Sequence, residues 1–128
     1  MAKEERGLHF KAKIYDDYVI KEPLKRHEIG EERLKEISEL SVKLSRLVEE
    51  VKPAYLVENG TKLWQERARG RRFTEKEWYS FGMKRAKELQ SKVRSLGFEL
   101  KDIGFNNLFY DAGAKSLEIV DLHGIYKK

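Results

Sequence analysis

An α+β domain of antiparallel hairpins and two long helices is what this 128-residue sequence predicts. Three observations carry that expectation. Apolar and polar residues alternate over short runs that come in pairs joined by turn-forming residues, the pattern of half-buried strands in hairpins. Two longer stretches instead place their apolar residues at helical spacing. The resulting order is hairpin, helix, hairpin, helix, hairpin, and nothing in it reads as a doubly wound parallel sheet.

Each element has its own local reason. Residues 8–14, Leu-His-Phe-Lys-Ala-Lys-Ile, alternate as a strand. Asp16-Asp17 suits a turn, 18–21 a second strand, and Pro23 ends the pair. From about Gly30 to Val51 the period changes. Leu34, Ile37, Leu40, Ser41, Leu44, Leu47, Val48 and Val51 fall on one stripe, Glu and Lys fill the other face, and Pro53 stops the helix. Short strands over 54–57 and 62–65 flank Asn59-Gly60, a strong hairpin turn. Residues 67–72, Arg-Ala-Arg-Gly-Arg-Arg, read as a basic loop. Thr74-Glu-Lys-Glu77 fits a capping box opening the second helix. Trp78, Phe81, Ala86, Leu89, Val93 and Leu96 form that helix's buried face, and Gly97 suits its end. Strands over 108–110 and 117–120 close the chain around Asp111-Ala-Gly-Ala.

The length fits one domain with a real hydrophobic core. With no cysteine there is no disulfide framework and no thiolate metal site. His9, His27 and His123 are scattered and make no convincing zinc set. No apolar run is long enough to span a membrane, and the first residues carry no signal-peptide core, so the expectation is a cytoplasmic protein. A net charge of +5, mixed with many acids, permits an anionic partner without demanding one.

The residues that point to chemistry lie in the last quarter. Asp102, an Asn five positions on at 107, and Asp121 at the end of an apolar strand form an oxygen-donor constellation. Hard cations take oxygen ligands, so a carboxylate and an amide carried on paired strand ends can hold magnesium against a triphosphate. A further carboxylate can take the proton of an attacking hydroxyl.

Together with the order of elements, these residues resemble the protein kinase-like fold, in a minimal form covering residues 1–128. The resemblance implies a first part at 1–66 and an abbreviated second part at 67–128. Lys21, in Val-Ile-Lys, resembles the strand lysine that grips nucleotide phosphates. The next helix would supply its glutamate partner. At about 100° per residue Glu36 borders the apolar stripe, with Glu39 held in reserve. Leu63-Trp-Gln-Glu-Arg67 resembles the strand entering the hinge, which would place Gln65, Glu66 and Arg67 at the adenine. Asp102 and Asn107 match the catalytic-loop Asp and Asn, and Asp121 the Asp of the metal-binding motif. The implied catalytic set is Asp102, Lys21 and Glu36, with Asn107 and Asp121 as Mg2+ ligands and ATP as the phosphoryl donor to an acceptor the sequence does not name. The chain departs from the family in lacking the Gly-rich loop, in Leu100-Lys101 before Asp102, and in Leu-His-Gly after Asp121.

The alternative is a non-catalytic kinase-like module. Arg67, Arg69, Arg71 and Arg72 stand near Trp64, Phe73, Trp78 and Tyr79, a combination that suits nucleic-acid contact or a protein partner.

Overall fold

A computed structural model describes residues 3–7, 10–24, 29–101 and 103–128 of the chain. The architecture is α+β. Five strands form the first sheet: β1 (Lys3–Arg6), β2 (Phe10–Ile14), β3 (Tyr18–Pro23), β4 (Ala54–Val57) and β5 (Lys62–Glu66). Their order is β1-β2-β3-β5-β4, with every neighbouring pair antiparallel. The turn between β4 and β5 uses Glu58, Asn59 and Gly60, all with positive φ, as the Asn-Gly pair predicts.

Helix α1 (Glu31–Ser45) lies against this sheet. Its apolar stripe buries Leu34, Ile37, Leu40 and Leu44, while Glu31 and Glu32 sit in the first turn and Lys43 in the last, each favoured there by the helix dipole. Two buried serines weld the helix to β4. The Ser38 hydroxyl donates to the Ala54 carbonyl (2.7 Å), and the Ala54 N–H donates to Ser41 Oγ (2.9 Å). The helix is shorter than the sequence pattern implies. It ends at Ser45, and residues 46–51 continue as turns that still bury Val48 and Val51 but leave Leu47 55% exposed. Val51 then forms a parallel bridge with Ile119, which ties this connection to the second half of the chain.

The second half opens with β6 (Arg71–Arg72), so part of the expected basic loop is strand. The capping box forms as predicted: the Glu77 N–H donates to Thr74 Oγ1 (3.1 Å), and the Thr74 N–H donates to Glu77 Oε1 (2.9 Å). The helix starts as one turn, α2 (Glu75–Glu77), widens to a π-helix over Trp78–Gly82, and continues as α3 (Met83–Ser95). Gly82 sits in the wide turn because a Cβ there would come within 2.9 Å of the Trp78 ring and 3.0 Å of Phe73. Gly97 follows the helix with φ +89°, the left-handed stop its sequence position implies.

Four strands finish the chain: β7 (Phe98–Leu100), β8 (Leu108–Asp111), β9 (Ser116–Ile119) and β10 (Ile125–Lys127). β6, β8 and β9 form one antiparallel sheet, and β7 pairs with β10. The sequence pattern misses β1, β6, β7 and β10. These are short strands, and most lack a long alternating run because they sit at edges. A single buried core runs from Phe10 and α1 through Val48 and Val51 to Leu108, Ile119 and Ile125.

Ser41→Ala should cost about 1–3 kcal/mol, because it leaves the buried Ala54 N–H without its acceptor. The Ser45 hydroxyl bonds, among the described residues, its own helix carbonyl at Val42, so Ser45→Ala should stay within about 0.5 kcal/mol. Urea denaturation of the two variants tests the contrast.

Candidate functional site

The site begins with register. In β3, Lys21 alternates with Val19 on the face towards α1, opposite Leu63 of β5. From there its ammonium reaches two partners, Gln65 Oε1 at 3.0 Å and the backbone carbonyl of Val120. Desolvation holds its pKa below the usual lysine value, and the charge of Asp121 offsets part of that effect. Gln65 is buried and fixed in turn, donating through Nε2 to the Lys52 carbonyl at 2.9 Å.

Register also brings together two residues far apart in sequence. Leu108 pairs with Ile119, and the ladder extends one step as the Val120 N–H donates to the Asn107 carbonyl (3.0 Å). Asp121 follows immediately. Asn107 and Asp121 therefore line one shallow depression, with Leu100, Ile103, Ile119 and Gly124 around them. The Asp121 carboxylate is organised through Oδ1, which accepts the His123 N–H (3.0 Å) and lies 2.9 Å from His123 Nδ1. Burial pushes the carboxyl up, but the His123 contacts and the Lys21 charge outweigh it and leave the group below its ordinary value. His123, which the sequence offers to no metal set, is thus a partner of Asp121.

Glu36 stands elsewhere. It is exposed and ion-paired with Arg33 one helical turn earlier, and among the described residues the Lys21 ammonium has no contact with it. Glu39 is exposed as well. The reason is helical phase: the stripe of Leu34, Ile37, Ser38 and Ser41 occupies the face against the sheet, so the carboxylates turn outward. Asp102 lies outside the described residues. Its neighbour Ile103 lines the depression.

The segment after β5 has its backbone donors largely committed. The Arg67 N–H donates to the Asp17 carbonyl (3.0 Å), and those of Arg69 and Gly70 donate to the two oxygens of Glu118 (3.0 and 2.6 Å). The Ala68 N–H has no partner among the described residues. Glu118 is only 7% exposed and also meets the Lys52 ammonium at 3.3 Å. Its signal in the sequence is a lone acid inside the apolar strand Leu117-Glu-Ile119. Gly70 is required where it is, because a Cβ would fall 2.4 Å from the Tyr110 carbonyl oxygen. Glu66 is exposed, with its carboxylate 3.5 Å from Lys52.

The arginines are also partly spoken for. Arg71 makes a bidentate pair with Glu77 (2.7 and 2.9 Å), which with the Thr74 cap holds that carboxyl down at about 2. Arg72 donates to the Asn106 carbonyl and lies over Phe109. Phe73 is buried against Trp78, Phe81 and Tyr110, whereas Tyr79 is 73% exposed.

The described residues offer no cluster of three His, Asp or Glu side chains able to hold a metal alone. An Asp and an Asn beside a part-buried lysine suit a cation that arrives with phosphate oxygens of its own, the usual habit of magnesium.

No protein-family model matches the sequence, and the comparison with curated proteins gives no match. Solved structures do match in shape. A crystal structure of WbdD superposes over 98% of this chain with a TM-score of 0.58 at 18% identity. A co-crystal structure of WbdD with the kinase inhibitor LY294002 covers 96% with a TM-score of 0.57, also at 18% identity. This chain spans about a third of the length of those chains (33% and 32%). The likeness is one of fold, an α+β arrangement of helices and antiparallel sheets.

The lowered Asp121 pKa makes a signed prediction. A carboxylate whose folded pKa lies below its unfolded value of 3.8 contributes stability above that pH and loses it as pH falls through the folded value. Urea midpoints of wild type should therefore fall more steeply than those of Asp121→Asn as pH drops below about 4. Equal slopes would mean that His123 and Lys21 do not favour the ionised carboxylate.

Proposed function

We propose that this chain is an ATP-binding, kinase-like protein that transfers the γ-phosphoryl group from Mg-ATP to a hydroxyl acceptor. The observation that carries the reading is the strand register that leaves Asn107 and Asp121 at the same end of the β8–β9 ladder, with the Lys21 ammonium on the adjoining Val120 carbonyl. Lys21 is the cation for the non-transferred phosphates, kept in place by Gln65. The Asn107 amide oxygen and the Asp121 carboxylate are the protein ligands of the cation. Bound there, Mg2+ would neutralise charge on the β- and γ-phosphates. The Ala68 N–H is the backbone donor available to the adenine edge, in the stretch where Gln65, Glu66 and Arg67 were expected to receive it. Asp102 orients the acceptor hydroxyl and takes its proton as that oxygen bonds to the γ-phosphorus and the bond to the β–γ bridging oxygen breaks. Positioning and charge neutralisation supply most of the acceleration in such a reaction.

A pseudokinase that contacts nucleic acid through the arginine segment is the second reading. It draws on Arg67, Arg69, Arg71 and Arg72 and on exposed Tyr79. The engagement of Arg71 by Glu77 and the burial of Phe73 reduce what that segment can offer.

Mg-ATP should raise the melting temperature of the wild type, and Lys21→Met and Asp121→Asn should each abolish the shift. Radiolabelled transfer from ATP should be present in wild type and lost in Asp102→Ala. A fold stabilised by a polynucleotide in a salt-sensitive manner, and indifferent to Mg-ATP, would favour the second reading instead.

A further inference from the structure

We infer that Arg33 is a positioning residue for Asp121, through which α1 holds the loop that carries the candidate cation ligand. The catalytic meaning of this inference rests on the function proposed above; the mechanical part does not.

In this chain α1 does not reach the site through a carboxylate on Lys21, since Gln65 and the Val120 carbonyl hold that ammonium. The helix reaches it through Arg33 instead. One guanidinium nitrogen of Arg33 donates to the carbonyls of His123 (2.6 Å) and Ile125 (2.7 Å), and the other nitrogen meets Glu36. The guanidinium carbon lies 4.0 Å from the centre of the Tyr126 ring. His123 is also the residue whose N–H and imidazole bind the Asp121 carboxylate. Arg33 thus grips the carbonyl side of the residue whose N–H side orients Asp121. Glu36 keeps the guanidinium's charge matched while it does so, a different task from pairing with Lys21. The arrangement needs a planar group that can bond two carbonyls and lie on an aromatic ring together, which arginine provides and an ammonium does not.

The test uses the full chain with Arg33→Gln and Arg33→Lys, and with Arg46→Gln, an exposed arginine just beyond the same helix, as control. Amide hydrogen exchange across residues 121–126 should quicken in Arg33→Gln and stay at the wild-type rate in Arg46→Gln. In nucleotide-dependent melting, Arg33→Gln should raise the Mg2+ concentration for half-maximal shift by about tenfold, the usual cost of losing a partner behind a metal ligand. ATP binding in EDTA should stay unchanged, and Arg33→Lys should recover part of the Mg2+ dependence. Unchanged exchange in 121–126 overturns the inference, as does a parallel loss of Mg2+-dependent and Mg2+-free binding. If wild type shows no response to ATP, the proposed function fails, and the exchange comparison still decides whether Arg33 anchors the loop. If Arg33→Gln does not fold, Arg33→Lys carries both comparisons.

Discussion

The structure is organised around an expensive placement: the Lys21 ammonium is taken out of water and set beside the strand that leads to Asp121. An ammonium withdrawn from solvent costs several kcal/mol unless its donors are met and an opposite charge is near. Here Gln65 and the Val120 carbonyl meet the donors, and Asp121 supplies the charge. Each of those partners then has to be fixed. Gln65 is held by the Lys52 carbonyl, Val120 by the Asn107 carbonyl, and Asp121 by His123. The contacts that satisfy one lysine therefore draw together β3, β5 and the ends of β8 and β9.

This constraint explains why short strands suffice to build the site. β8 and β9 are four residues each, yet their register leaves Asn107 and Asp121 at the same end of the ladder. Within β9 Glu118 closes the segment after β5 by accepting two consecutive backbone N–H groups, while Lys52 balances its charge. Buried carboxylates with such partners give a fixed geometry rather than large net stability. What they secure is the position of the connection between the two parts of the chain relative to β9.

Much of the architecture was legible because it depends on local signals. The Asn59-Gly60 turn, the Thr74 capping box, the stop at Gly97 and the stripe of Leu34, Ile37, Leu40 and Leu44 all express rules that act within a few residues. The convergence of Asn107 with Asp121 was reachable because both sit at the ends of strands whose pairing the hairpin turn dictates. What escaped was set by tertiary geometry. Helical phase turned Glu36 outward onto Arg33, away from the face that packs on the sheet. Leu47 fell on the apolar stripe but the chain left the helix before reaching it. The roles of Arg33 and Glu118 depend on backbone groups more than forty residues away, and the edge strands β1, β6, β7 and β10 have too few residues to show a period.

The central claim is that Lys21, Asn107 and Asp121 surround one triphosphate and its cation. Line broadening by Mn2+-ATP in the amide and side-chain NMR spectrum of the 15N-labelled chain tests this most directly. The account predicts broadening centred on Lys21, Asn107 and residues 120–124, abolished by excess Mg2+-ATP. Broadening centred on the arginine segment at 67–72, or none that saturates with nucleotide, would contradict it.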